Sequence, residues 1–524
     1  MAVRFWTRLP LFILVLAFLA PIISLVVEAG NSFWRESIPL RAARLVDYSV
    51  NSVLLVTGSL LGATIFGLSS AWLCARREFT GRWVLLWGSI LPLAVPGYLA
   101  AYSWVDFLID AGFPGGQLRN LPFACLIFSV CLSPYVFLPA YAALVQLPGS
   151  LLESARLLGL NGLRLFLAVE LPLIRSSLVA GVLMAGLEVL ADFGTVDFMA
   201  VDTWTTAIYR TWFGLGDRGT ASLLAVVLFA VSALVLFRDS RSRSKRSLAG
   251  STRKTAPLRR SKRSLLSILP ILLPAATPGV LGCLMPVSIL STRVLRNWSS
   301  LEIWTTIHEP ILTTLFVAAA AGLTVVSIAL VLVWTIRTES NPAIRFFARV
   351  SSLGYALPGG VLGLGLLIFL APLYLTGTLV GLLYGYSVRF ATIGTSSIEA
   401  RWQSIPTLYE SQARLLGCSA AGAFFRVTLP LLQRSILCAF VLTTIDVIKE
   451  LPATMLLRPF NVETLAIRTY NLASDERLAE TAPSSLAMVL LCAAGVFAAQ
   501  KLGAFSVGED GNRGEKNDRK TSLT

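Results

Sequence analysis

Apolar residues run through this chain in long unbroken stretches, with polar residues gathered in short clusters between them. That rhythm is neither the alternation of a half-buried strand nor the one-sided stripe of a helix on a soluble core. A helix needs about 20 mainly apolar residues to cross the hydrocarbon of a bilayer. In the first half, runs of that length fall roughly at 10–28, 50–74, 83–107, 121–145, 173–192 and 221–237. In the second they fall roughly at 265–290, 310–336, 350–373, 376–398, 431–448 and 484–502. The first run exceeds the apolar length of a cleaved signal peptide and reads as a permanent anchor. The pattern predicts an all-α integral membrane protein with about 12 transmembrane helices.

Composition narrows the function classes. Of 524 residues, 55% are hydrophobic and 14% charged, against about 25% charged in an average soluble domain, and the mean hydropathy is +0.72. A water-soluble enzyme of this make-up would lack a polar surface. Lys and Arg number 44 and Asp and Glu 29, a net charge of +15. In a soluble chain that balance would suggest nucleic acid. Here the basic residues sit between apolar runs, so the lipid bilayer is the expected partner and nucleic acid is not. With the N-terminus in the cytosol, 32 of the 44 basic residues face inward and 12 outward, while the 29 acids divide 11 inside and 18 outside. The positive-inside bias thus predicts that both termini are cytosolic. Cys74, Cys125, Cys131, Cys283, Cys418, Cys438 and Cys492 show no CxxC spacing and read as small buried hydrophobes. A single histidine, His308, excludes multi-histidine metal sites and disfavours histidine-based catalysis.

Charge and hydropathy divide the chain into a first repeat at 1–237, a basic cytosolic linker at 238–263, a second repeat at 264–502 and a cytosolic tail at 503–524. The linker carries eleven basic residues and one acid. It reads as a solvated tether, with attraction to anionic headgroups as the functional alternative.

The division into repeats rests on a duplicated string. Residues 152–172 read LESARLLGLNGLRLFLAVELP and residues 410–430 read ESQARLLGCSAAGAFFRVTLP, identical at nine of 21 positions with a constant offset of 258. Each copy lies on the cytosolic side between the fourth and fifth run of its half. An even number of spans per half gives both halves the same orientation, related by a pseudo-two-fold axis along the membrane normal. Each copy predicts a helix, a break at Gly159 or Gly417 where positive φ is permitted, and a second helix starting near Pro172 or Pro430. The product is a lateral finger able to dock in a groove of a soluble partner; the bland reading is an amphipathic loop helix at headgroup level.

These strings resemble the EAA loop of binding-protein-dependent ABC importer permeases, here as two copies in one chain. The resemblance implies that each loop forms a coupling helix seated in a cleft of an ATP-hydrolysing subunit. Carried over position by position, Glu153, Ala155, Gly159, Leu171 and Pro172 match in the first copy and Ala413, Gly417, Leu429 and Pro430 in the second. Ser154 replaces an alanine, and Ser411 takes the usual glutamate position with Glu410 one residue earlier. That displacement implies unequal coupling of the halves. The segments ADFGTVDF at 191–198, TTAIYRTWFGLGDR at 205–218 and 450–480 resemble outer-face segments of fused iron(III) permeases. The resemblance further implies a bacterial inner-membrane location, two copies of an ABC ATPase subunit inside and a periplasmic substrate-binding protein outside. It implies no cofactor on this chain, ATP being used by the partner subunit. Fused thiamine permeases share the layout, and an ion-gradient-driven secondary transporter is the alternative class.

No GxxxxGK[ST], GxSxG or HExxH motif occurs, so neither a nucleotide cradle nor a catalytic centre is expected on this chain. Glu188 and Asp192 are four apart, which would place both on one helix face; adding 258 gives Asp446 and Glu450. These four carboxylates are the candidate translocation path near the outer mouth. Ionisable groups close to hydrocarbon are costly, and hard oxygens suit a trivalent cation. The competing expectation leaves all four in water, with Lys449 partly neutralising Glu450. The third run of each half concentrates Pro92, Pro96 and Gly97, then Pro358, Gly359, Gly360, Gly363 and Gly365, which suits close packing and bending alike. Tyr102, Ser103 and Tyr355 are polar candidates there. His308 beside Glu309 reads as structural, and Trp34, Trp204, Trp212, Trp298 and Trp304 as an interfacial belt.

Overall fold

A computed structural model of the chain describes residues 2–33, 42–244, 261–262, 265–296, 302–338, 341, 344–346, 354 and 358–503. Trp34, Trp298, Tyr355, the tail from 504 and most of the 238–263 linker lie outside the described residues.

Where they are described, the predicted apolar runs are mainly helical. Among the described residues, 8 helices are long and apolar enough to cross a membrane. A ninth candidate is the pair Arg82–Ala94 and Gly97–Asp110, bent by 100°. The third run of the first half is therefore broken rather than straight. Pro92 and Pro96 cause the break: neither offers an amide to the helical ladder, and Pro96 stands as N-cap of Gly97–Asp110. Arg218–Leu234 and Gly359–Leu373 are apolar but shorter. Leu379–Gln403 has the length of a span, diluted by Arg389, glycines and hydroxyl residues.

The repeat is copied in backbone detail. Gly149–Leu157, Gly162–Leu165, a π-turn at Phe166–Glu170 and Leu171–Ala191 recur 258 residues on as Thr407–Leu415, Ala420–Ala423, Phe424–Thr428 and Leu429–Ile448, the last ending one residue sooner. Pro172 was expected to start the fifth span, yet that span begins well before it, at Gly162. The π-turn explains this. The Leu171 amide bonds to the Phe166 carbonyl five residues back, and Leu429 repeats the bond to Phe424, so each proline enters just after a widened turn.

The two halves clasp each other. Ala2–Phe33 packs on Arg218–Ser244 of its own half and on Gly359–Leu370 of the other. A Cβ at Gly365 would fall 2.5 Å from the Pro21 carbonyl oxygen, so glycine is needed for that approach. The first helix of the second half, Leu265–Gly279, lies in turn against Ala42–Arg76 of the first half, where Ser70 Oγ donates to the Ala275 carbonyl at 2.8 Å. At the linker, Arg218–Ser244 carries the helix seven residues into the stretch expected to be a tether. Near its other end, Ser261–Lys262 pairs in parallel with Arg77–Glu78, a two-residue bridge within an otherwise helical architecture.

Candidate functional site

A cavity of about 110 Å³ opens where the halves meet, and Glu188, Asp192, Asp446 and Glu450 all line it. Their local geometry differs from the expectation of two carboxylates on one helix face. Leu171–Ala191 ends with Asp192 extended, at ψ 135, and Leu429–Ile448 ends two residues before Glu450. Only the first acid of each pair is helical. Local hydrogen bonds are the cause. Asp192 accepts from the Thr195 amide at 2.7 Å and its hydroxyl at 2.9 Å, and Glu450 accepts from the Ala453 amide at 3.0 Å. Each carboxylate thereby satisfies a donor at the start of the short helix that follows, Gly194–Phe198 or Pro452–Leu457.

The cations of the cavity belong to the second half. Arg389 Nη2 lies 3.1 Å from Glu450, both side chains being more than 90% buried, and Lys449 Nζ lies 2.7 Å from Asp446. Lys449 thus neutralises Asp446 rather than Glu450, and the buried Glu450 is not in open water. The positions 258 residues earlier are Cys131 and Ala191, which line the same cavity without charge. On that side the Tyr135 hydroxyl donates to Glu188 at 3.3 Å. Four carboxylates against two cations leave the lining formally at −2.

The first proline–glycine signature lines the cavity through Pro92, Pro96 and Gly97, and the second stands behind it, against Arg389. Pro96 and Pro358 each cap a helix that opens with glycine. A Cβ at Gly359 would fall 1.9 Å from Arg389 Nη1, and one at Gly97 2.9 Å from Thr195 Oγ1. Tyr102 and Ser103 are buried away from the cavity: Tyr102 packs on Tyr98 and Phe198, and Ser103 bonds to the Leu99 carbonyl. Tyr98 lines the cavity instead. Among the described residues no group of His, Cys, Asp and Glu has the geometry to hold a metal ion. His308 is exposed, and the Trp204 indole is tied to Ser49 Oγ at 3.2 Å. Arg389 escaped the sequence reading although it is the only charge in the run 376–398, a signal that marks function by default in a membrane span.

The second constellation is the pair of fingers. Gly159 and Gly417 have φ of +85 and +91, the left-handed conformation that closes each finger helix. Ala155 and Ala413 are buried at the finger base. Just before each glycine stand two apolar side chains, Leu157 and Leu158, then Leu415 and Leu416, all at least 83% exposed. Each finger therefore ends in an apolar patch that nothing among the described residues covers. The repeated string ARLLG already carried that signal.

Glu153 is exposed on its finger, whereas Glu410 turns inward. It accepts from Trp402 Nε1 at 3.2 Å and Thr428 Oγ1 at 3.0 Å, with Arg337 Nε at 3.9 Å. Glu410 is therefore no counterpart of Glu153; its 258-shifted equivalent is Leu152, buried in the finger base. In the first half the inward carboxylate is Glu170, bonded to Arg76 Nε at 2.8 Å and Trp72 Nε1 at 2.9 Å. The position equivalent to Glu170 is Thr428. Both halves so latch the finger base to an arginine at the end of their second long helix, Ala42–Arg76 or Glu302–Thr338, with the carboxylate supplied from different positions.

Residues 63–240 match the family model for the binding-protein-dependent transport system inner membrane component. Over 510 residues, 95% of this chain and 98% of that protein, the chain is 25% identical to the Fe(3+)-transport system permease protein FbpB 2 of Haemophilus influenzae. It is 27% identical over 237 residues to the sulfate transport system permease protein CysT of Salmonella typhimurium, which covers 42% of this chain and 85% of that protein. It is 28% identical over 233 residues to a probable molybdenum ABC transporter permease protein of Haloferax volcanii, covering 43% and 85%.

Proposed function

We propose, from the match of residues 63–240 to the family model for the binding-protein-dependent transport system inner membrane component and the likeness over 95% of the chain to an iron(III) permease, that the chain is a member of that family and forms the whole translocation path of an ATP-driven iron(III) importer. Membership makes it a multi-pass permease subunit of the inner membrane and not an enzyme; its partners are an ATPase, which uses the ATP, and a substrate-binding protein. We read the domains as repeats at 1–237 and 264–502, joined by the linker at 238–263 and followed by a tail at 503–524, with both termini in the cytosol. One ATPase copy would grip each finger, through Leu157 and Leu158 on one side and Leu415 and Leu416 on the other.

The observation that carries the cargo reading is the charge of the cavity. Sulfate and molybdate are anions, and a water-poor lining of formal charge −2 opposes them. A cation gains from the same field. Glu188 and Asp192, on the half without cations, supply hard oxygens to a passing ion, while Arg389 and Lys449 hold Glu450 and Asp446 back. Several weak contacts let an ion enter and leave again, which a tight metal cage would prevent.

The test is uptake into vesicles containing the permease, its ATPase and its binding protein, with radiolabelled iron(III), sulfate, molybdate and thiamine supplied in turn. ATP-dependent accumulation of iron alone is expected, and Glu188→Gln with Asp192→Asn should slow it at unchanged protein level. Accumulation of an oxyanion or of thiamine in its place would overturn the cargo, and transport without the ATPase would overturn the class.

A further inference from the structure

The cavity treats its two walls differently. Its carboxylates are kept in both halves, Glu188 matching Asp446 and Asp192 matching Glu450 at the offset of 258. Its cations are not. Arg389 and Lys449 come from the second half, and their counterparts Cys131 and Ala191 line the same space without charge. The first half thus closes its wall with small neutral residues, so packing does not call for a cation at either position.

Stability does not call for one either. Arg389 and Glu450 are 9% and 6% exposed, and an ion pair so deeply buried gains little or nothing over an apolar filling. Gly359 must lack a side chain to admit the guanidinium, since a Cβ there would fall 1.9 Å from Nη1. Gly359 also opens the helix Gly359–Leu370, so Arg389 stands at the positive end of a helix dipole, where a cation is disfavoured. What the two cations do change is the charge of the cavity. Without them four carboxylates would more than neutralise a trivalent ion and hold it in place. With them the lining is formally −2, one charge of such an ion stays uncompensated, and the ion leaves more readily.

We infer that Arg389 and Lys449 are tethered counter-ions that limit how tightly the cavity holds a polyvalent cation, and so govern its release. The inference rests on the cation reading of the cavity. Removing either charge should tighten the binding of a trivalent ion about tenfold, the factor that Coulomb's law gives for a unit charge roughly 8 Å away even in bulk water. Release should slow by a similar factor.

Terbium(III), a hard trivalent ion whose luminescence tyrosine sensitises, reads binding without transport, and Tyr98 and Tyr135 both line the cavity. The full chain in phosphatidylcholine nanodiscs is titrated with it. Lys449→Gln and Arg389→Gln should each lower the Kd about tenfold, while Arg389→Lys, which keeps the charge, should bind terbium like the unaltered chain. Arg389→Gln/Glu450→Gln restores the formal charge and should lose the gain; it also removes the stranded carboxylate, so a folding defect of Arg389→Gln alone does not decide the outcome. In vesicles with the ATPase and the binding protein, Lys449→Gln should lower KM and kcat for iron(III) together, a pattern that mere damage to the fold does not give. Unchanged or weaker terbium binding in Lys449→Gln overturns the inference, as does a double variant that binds as tightly as Arg389→Gln. Terbium binding indifferent to Glu188→Gln/Asp192→Asn would instead overturn the cation reading on which the inference stands.

Discussion

Moving the latch carboxylate of the first half to where the second half keeps it should restore what its removal destroys. The perturbation is Glu170→Thr, alone and together with Leu152→Glu, which recreates the arrangement of Thr428 and Glu410. Arg76 and Glu170 are 7% and 2% exposed with a 2.8 Å contact, so the single change leaves a buried guanidinium without its carboxylate. Removing one partner of a buried pair costs about 3–5 kcal/mol, and the bond from the Trp72 indole adds about 1 kcal/mol. In the double variant the carboxylate returns from the finger helix, and the hydroxyl introduced by Glu170→Thr donates to it just as Thr428 serves Glu410 at 3.0 Å. At least half of the loss should then be recovered. Reversible denaturant unfolding of the reconstituted permease, followed by tryptophan fluorescence, measures both steps. A single variant losing under about 1 kcal/mol, or a double variant no more stable than the single, would refute the idea that the carboxylates are interchangeable.

The same reasoning gives smaller effects elsewhere. Glu410→Ala should cost about 2–3 kcal/mol, roughly 1 each for the bonds from the buried Trp402 and Thr428 and under about 1 for Arg337, which is 3.9 Å away with side chains 17% and 26% exposed; the same unfolding assay reads it. Gly159→Ala and Gly417→Ala should each cost about 1 kcal/mol by forcing a side chain into positive φ, and should weaken co-purification with the ATPase more than thermal stability. Leu157→Asp/Leu158→Asp should lower ATPase association without changing unfolding, since both leucines are exposed in the permease alone; a destabilised fold would contradict that exposure. Gly359→Ala should displace Arg389, whose Nη1 a Cβ would meet at 1.9 Å, and strand Glu450. Loss of transport relieved by adding Glu450→Gln is the expected pattern, and an unaffected Gly359→Ala would count against the pairing.

Much of the fold was legible because hydropathy and a 258-residue repeat are properties of the string itself. The apolar runs became helices, and Gly159 and Gly417 took the conformation that a chain break at glycine requires. What hydropathy lacks is direction. The run at 83–107 is apolar throughout, so its 100° bend was written only in Pro92 and Pro96. Helical spacing joined Glu188 to Asp192, but a carboxylate that can bind the amide three residues on ends the helix first. The motif put Glu410 beside the place of Glu153, whereas Trp402, Thr428 and Arg337, brought in by other turns and helices, decide that it faces inward. Pairings such as Arg389 with Glu450 depend on tertiary contacts between helices and leave no trace in periodicity.

Each half's leading helix reaches over to its neighbour, Ala2–Phe33 towards Gly359–Leu370 and Leu265–Gly279 towards Ala42–Arg76. Such an embrace makes the peptide bond between halves dispensable for holding them together. A gene split within residues 245–260 should yield two polypeptides that still find and hold one another, whereas trimming both leading helices should let them drift apart even in an uncut chain.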